Sequence, residues 1–173
     1  MVEVKAKTLA QNNAFPRGLQ VITVPDAPSA AQRGNQGTAL VARKLTSFPS
    51  HYASAPSGKP SSCNTAYFRC APRKICTDDK GRSILEIKVF ERHPYTRQAF
   101  FPMGSCRTRR AYVVVVAEDA SIYSSLYCAY EQDGKPDLQK VEAFIAKGNQ
   151  GIVYEANRWH SPMCAIDEVF LYL

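Results

Sequence analysis

Six consecutive apolar residues, Tyr112–Ala117, constrain this chain more than any other stretch. Four of them are valines, whose branched side chains lose freedom in a helix and pack well on a pleated sheet. With no polar alternation, the run reads as a strand covered on both faces. It is far shorter than the ~20 apolar residues that cross a bilayer, and no other run in the chain approaches that length.

Shorter strand-like runs occupy Leu19–Val24, Ala39–Leu45, Thr65–Cys70, Ile84–Phe90, Ser124–Tyr130, Ile152–Tyr154 and Ala165–Leu173. Thr65–Cys70 and Ile84–Phe90 are expected to pair across the turn Thr77–Arg82, where Asp79-Lys80-Gly81 suits a hairpin. Within Ile84–Phe90, Glu86 and Lys88 share the more polar face. Pro25–Gly34 reads as a loop, and Phe48–Asn64, rich in Ser, Pro and Gly, as a long surface excursion. One helix is predicted with all its parts. Pro136-Asp137 supply the cap, Leu138, Val141, Phe144 and Ile145 the apolar stripe, and Gly148 the stop, with Gly148–Gly151 as C-cap and turn. The pattern predicts a single mainly β domain over residues 1–173, an antiparallel β-barrel with one or two helices. Closure of the sheet would remove its exposed edges.

The chain is long enough for a real core, and its composition, 45% hydrophobic and 21% charged, is that of an ordinary globular protein. Lys and Arg number 22 against 15 Asp and Glu, a balance of +7. These basic residues are scattered. The densest group, Arg107, Arg109 and Arg110, falls in an expected hairpin loop, and neither a basic stripe nor a readout motif is present. Nucleic acid and membrane are therefore not expected partners. Met1-Val2-Glu3-Val4-Lys5 lacks the apolar core of a secretory signal, so a cytoplasmic protein is expected. Six cysteines with no Cys-x-x-Cys pair argue against structural zinc, and the absence of an export signal argues against a disulfide framework. They read as small hydrophobes.

Polar chemistry concentrates in Glu91–Met103, which lies between two strand-like runs and is pinned by Pro94 and Pro102. Proton-handling side chains at strand ends are how a rigid scaffold presents chemistry. Of the three histidines, His51 lies in the surface excursion, His93 follows Glu91-Arg92, and His160 follows the only tryptophan, Trp159. A metal site needs three or four ligands; Glu91, His93, Gln98 and His160 suffice in number, although no His-x-His spacing is present. Acid–base work needs only one or two such groups within reach of a substrate. There is no Gly-rich phosphate loop and no Gly-x-Ser-x-Gly elbow, and Cys106 has no base near it in sequence. Arg92 and Arg97 read as surface residues.

Five motifs occur in order: Asn35-Gln36-Gly37-Thr38-Ala39; Glu91-Arg92-His93-Pro94 with Gln98, Phe100 and Pro102; Pro136-Asp137-Leu138 with Ala143-Phe144; Gln150-Gly151 with Tyr154; and Trp159-His160 with Pro162. Together they resemble the ureidoglycolate lyase family, in its fungal form, from about Phe15 to about Ile166, with the excursion at 48–64 outside the match. The resemblance implies a cupin-like barrel, a homodimer, and cleavage of (S)-ureidoglycolate, a small carboxylate, to glyoxylate and urea in allantoin catabolism. It also implies a divalent metal such as nickel, with His93, His160 and Gln98 as its ligands if one is present. Carried onto this chain, the chemistry makes His93 and His160 an acid–base pair, their order of roles open, with Glu91 orienting an imidazole or raising its basicity. Gln98 would bind the ureido group, Arg69 or in its place Lys88 the carboxylate, and Trp159 would wall the pocket. The alternatives are hydrolysis of the same substrate to ammonia and carbon dioxide, or binding of a small acid without turnover. Two features depart from the family pattern: Ser161 stands where a second His commonly follows Trp-His, and relatives often continue beyond Leu173.

Overall fold

The computed structural model describes residues 2–9, 15–23, 32–34, 36, 38–41, 46–48, 51–60, 62–103, 109–120, 134–167 and 170–172. In chain order the strands are β1 (Lys7–Thr8), β2 (Leu19–Thr23), β3 (Gln32–Gly34), β4 (Ala39–Val41), β5 (Phe68–Cys70), β6 (Ile75–Thr77), β7 (Ser83–Leu85), β8 (Gln98–Phe100), β9 (Arg110–Asp119), β10 (Pro136–Lys147), β11 (Gln150–Tyr154), β12 (Trp159–His160), β13 (Cys164–Ala165) and β14 (Phe170–Tyr172).

The apolar run lies at the centre. It forms β9, with Tyr112 and Val114–Ala117 buried, so both faces are covered as the missing alternation predicts. β10 pairs antiparallel along one side of β9, and β1 adds in parallel beyond β10. Along the other side run β12 and then β13. A second sheet has the order β2-β11-β8, and three two-stranded pairs complete the described ladders. Tyr112, Val114 and Val116 of β9, with Phe144 and Ala146 of β10, join Leu19, Phe100, Ile152 and Tyr154 of the second sheet in one core cluster. The fold is mainly β, as expected. Its described ladders form separate sheets and do not close into a barrel.

The predicted helix at 136–148 is a strand, and the described residues contain no α-helix. The capping signal is real but serves another structure. Asp137 Oδ1 accepts the Gln139 N–H at 2.9 Å, where the register of β10 on β9 jumps from Asp137 to Val141. Leu138–Lys140 thus bulge out of the ladder, with Leu138 50% exposed. Beyond the bulge, Val141–Ala146 pairs with Tyr112–Ala117, and burial against the valine run overrides the helical spacing.

Strand partners shift in the same way. Ile84 pairs with Cys76 in the β6–β7 hairpin, while Phe68–Cys70 pairs with Phe170–Tyr172, so the expected pairing of Thr65–Cys70 with Ile84–Phe90 does not form. Asp78 Oδ1 accepts the N–H groups of Lys80 and Arg82, and Gly81 takes φ +74°, which closes a loop so short that its own flanks must pair. Glu86–Phe90 leaves the ladder, although Glu86 and Lys88 do share a face and form an exposed ion pair. Gln32–Gly34 is strand, not loop. Cys164 is buried and Cys70 partly so, but Cys63 and Cys76 are exposed; all four are free thiols. Ser124–Tyr130, Arg107, Cys106 and Cys128 lie outside the described residues. No described helix is long and apolar enough to cross a membrane.

Candidate active site

Glu91–Met103 crosses from one sheet to the other. At its start Glu91 makes an antiparallel bridge to His160, with Glu91 N–H to His160 O at 2.9 Å and His160 N–H to Glu91 O at 3.0 Å. Asn157 N–H to His93 O at 2.8 Å extends the pairing. Seven residues after Glu91, Gln98–Phe100 becomes β8, paired to β11 through Gln98↔Tyr154. One stretch therefore carries Glu91 and His93 on the edge of the β9 sheet and Gln98 on the edge of the other.

Strand alternation sorts these side chains by face. Glu91 and His93, two apart, project toward the side shared with His160. Their ligand atoms and those of His160 all lie within 4.8 Å of one another. The His160 ring stacks on Tyr154 at 4.0 Å between centroids, and its Nε2 lies 3.0 Å from Gln98 Oε1 and 3.6 Å from Glu91 Oε1. The His93 ring stands 5.8 Å from that of His160, and its buried Nε2 has no hydrogen-bond partner among the described residues.

Electrostatics define the resting form of His160. Its Nδ1–H donates to the Arg158 carbonyl at 2.8 Å, which leaves Nε2 as the working nitrogen. Burial pushes its imidazole below the ordinary histidine value; the Arg158 carbonyl and the Glu91 charge oppose this, and His93 adds to it. Burial therefore favours the neutral imidazole, in which Nε2 is an acceptor and the Gln98 amide must turn its NH2 toward it; once protonated, Nε2–H donates to Gln98 Oε1 beside the Glu91 carboxylate. A lowered pKa also has a stability consequence. Between the folded value and the unfolded value near ~6.5, the unfolded chain binds more protons, so stability is complete above that window and is lost as pH falls through it. In the metal-free protein, melting temperature should drop as pH falls below about 6.5, and His160→Asn should flatten that dependence. Equal slopes in the two proteins would remove His160 as the cause.

Other expected residues lie elsewhere. Trp159 alternates away from His160 and does not wall the cluster: its Nε1–H donates to Asp119 Oδ1 at 2.8 Å, and the Arg92 guanidinium lies 4.6 Å from its ring. Arg92 and Arg97 are not surface residues, with side chains 13% and 17% exposed and ion-paired to Asp119 and Glu155. Arg69 is exposed and alternates away from Phe68, which packs edge-on against Phe100, while Lys88 points outward beside Glu86. Among the described ion pairs, neither cation is joined to Glu91 or His160. Ser161, in place of a second histidine, is buried next to Cys164 with its side chain turned away from His160, so that departure leaves the cluster intact. Two participants were missed. Tyr154 was visible only as one residue of a motif, and the Arg158 carbonyl, a backbone group, had no sequence signal. Glu91 lies on the Nε2 side, where its charge raises the basicity of the imidazole, and the Arg158 carbonyl holds the Nδ1 side.

A family model described as ureidoglycolate lyase matches residues 1–173. The ureidoglycolate lyase of Schizosaccharomyces pombe is 30% identical over 164 residues, covering 95% of this chain and 78% of that protein. That of Saccharomyces cerevisiae is 32% identical over 176 residues, 96% of this chain and 80% of that protein. A shorter match joins the enzyme of Brucella anthropi, 37% identical over 84 residues and 49% of this chain. The motifs spread over both sheets, the cluster at their junction and the full-length match agree: this chain belongs to the ureidoglycolate lyase family.

Proposed function

We propose that this chain cleaves (S)-ureidoglycolate to glyoxylate and urea, a carbon–nitrogen lyase step in allantoin breakdown. The observation that carries this reading is the cluster of Glu91, His93 and His160, with ligand atoms within 4.8 Å and Gln98 beside them, in a member of this family. The substrate bears a hydroxyl, a carboxylate and a ureido nitrogen on one carbon. When the hydroxyl proton is removed, that oxygen forms the aldehyde C=O, the C–N bond breaks, and the nitrogen takes up one proton to leave as urea. No water is consumed.

His160 is the base. Its Nδ1–H is engaged by the Arg158 carbonyl, so the Nε2 lone pair is the one that receives the proton. The imidazolium then formed is complementary to the Gln98 carbonyl at 3.0 Å and to the Glu91 carboxylate at 3.6 Å. His93 protonates the leaving nitrogen, and the proton returns between the two rings past Glu91. Two imidazoles and a carboxylate also suit a divalent first-row ion such as nickel. The unpartnered His93 Nε2 supports that fit, and donors up to 4.8 Å apart need only a small closure to span an ion with bonds near 2 Å. Glu91, His93 and His160 would hold it, with Gln98 as a further donor; bound there, it would supply Lewis-acid polarisation of the substrate oxygens in place of the proton transfers of the two imidazoles, whose ring nitrogens would then be its ligands. The resemblance carried by the motifs also implies a homodimer, the N-terminal stretch without an apolar core suits the cytoplasm, and the shared core between the two sheets supports a cupin-like enclosure.

The test is incubation with (S)-ureidoglycolate, before and after treatment with a chelator. One urea per glyoxylate with no ammonia is expected. Ammonia in place of urea would turn the reading to amidohydrolysis, and binding without turnover to a small-acid binder. Recovery of chelated activity on adding nickel, with matching loss of ion binding in His93→Ala by calorimetry, is the expected metal result.

A further inference from the structure

Glu91 and His93 lie at a sheet edge, and β12, which carries His160, is two residues long. The backbone bonds at Glu91, His160 and Asn157 fix how these segments sit along their length. These backbone bonds do not by themselves fix the twist of the edge about its own axis. Twist matters here: the reactive atoms sit at side-chain ends, so a small rotation of either backbone separates them.

The reverse face supplies the missing restraint. Arg92 lies between Glu91 and His93 in sequence, and Trp159 immediately precedes His160, so both project behind the cluster. The Arg92 guanidinium lies 4.6 Å from the Trp159 ring centroid. Both then converge on a single oxygen of β9, Asp119 Oδ1, at 2.9 Å from Arg92 Nη1 and 2.8 Å from Trp159 Nε1. Gly134 closes the far side; a Cβ there would meet both Arg92 Nη atoms and Asp119 at 3.4 Å. We propose that Arg92, Trp159 and Asp119 form a clamp that acts through the backbone to hold Glu91, His93 and His160 in reacting register. These are positioning residues; none touches substrate. The catalytic part of this inference rests on the reaction proposed above, whereas the geometric part does not.

The experiment compares wild type with Arg92→Met, Trp159→Phe, their double variant, and Asp119→Asn. Asparagine keeps an acceptor for both donors, while phenylalanine keeps the ring and loses only the N–H. Supporting residues behind a reacting group are worth about 10–100-fold when removed. Arg92→Met and Trp159→Phe should therefore lower kcat by about that factor with KM nearly unchanged, the double variant losing no more than the worse single, and Asp119→Asn should retain most activity. A second readout is independent of turnover: the His160 Nδ1–H proton resonance at fixed pH, held by the Arg158 carbonyl. It should shift or broaden in Arg92→Met and Trp159→Phe, while the exposed His51 stays unchanged as an internal control. A lower melting temperature with kcat and the His160 signal both unchanged would overturn the clamp. If wild type does not act on ureidoglycolate but the His160 signal still moves, the clamp stands and the reaction assignment falls.

Discussion

His160→Asn lowers glyoxylate release from (S)-ureidoglycolate by about 10²–10⁴-fold, the range lost with a general base. Asparagine is the informative substitution because its amide N–H can replace the Nδ1–H that donates to the Arg158 carbonyl at 2.8 Å. What disappears is the Nε2 lone pair facing Glu91 and Gln98, so binding and folding are largely spared. The side chain is 2% exposed and stacked on Tyr154, so a modest fall in melting temperature accompanies the loss of rate. Adding His93→Asn should cost little beyond the single change, because two groups that pass one proton between them act as a unit. The measurement is kcat for glyoxylate and urea together with a melting curve on each variant. Wild-type kcat in the folded double variant would remove both histidines from the chemistry.

Gly151→Ala is expected to cost about 1–3 kcal/mol, the range for overpacking a filled site. β11 is flanked by β2 and β8, and its residues are buried throughout. A Cβ at Gly151 would lie 2.6 Å from Phe101 Cδ1, 3.0 Å from Phe101 Cε1 and 3.2 Å from the Phe100 backbone oxygen. Phe100 is itself in β8 and hydrogen-bonded to β11, so relief requires moving the strand that carries Gln98. For a chain of this size about 2 kcal/mol corresponds to a fall of roughly 4–8 °C in melting temperature. Denaturant unfolding followed beside a thermal scan decides it, and an unchanged midpoint in both would mean that Phe101 yields at no cost. The same displacement should lower turnover, because Gln98 is two residues from Phe100 and reaches His160.

Legibility in the sequence followed how local each cause was. The valine run dictated a strand covered on both faces because composition alone settles that burial. The β6–β7 hairpin was half readable: Asp78 and Gly81 build its loop, but the partner strand depends on which flank lies closest. Asp137 misled because a side-chain cap satisfies an exposed N–H equally well at a helix start and at a bulge. Pairing with β9 chose between them, and that pairing reaches across the chain.

The site divides along the same line. Sequence alone marked the candidate residues for proton chemistry, namely Glu91, His93, Gln98 and His160, because few side chains can do it and family motifs mark where they stand. It also determined that they hang from a mainly β frame. Only the tertiary structure decided the rest. It brought His160 between Tyr154 and Gln98, turned its ring with the Arg158 carbonyl, and left Arg69 and Lys88 exposed. It also sent Arg92 and Trp159 to the reverse face, although each is a sequence neighbour of a reactive residue. The reason is the two-residue period of a strand: neighbours in sequence are separated by a backbone, whereas residues on facing edges of two sheets can share a proton.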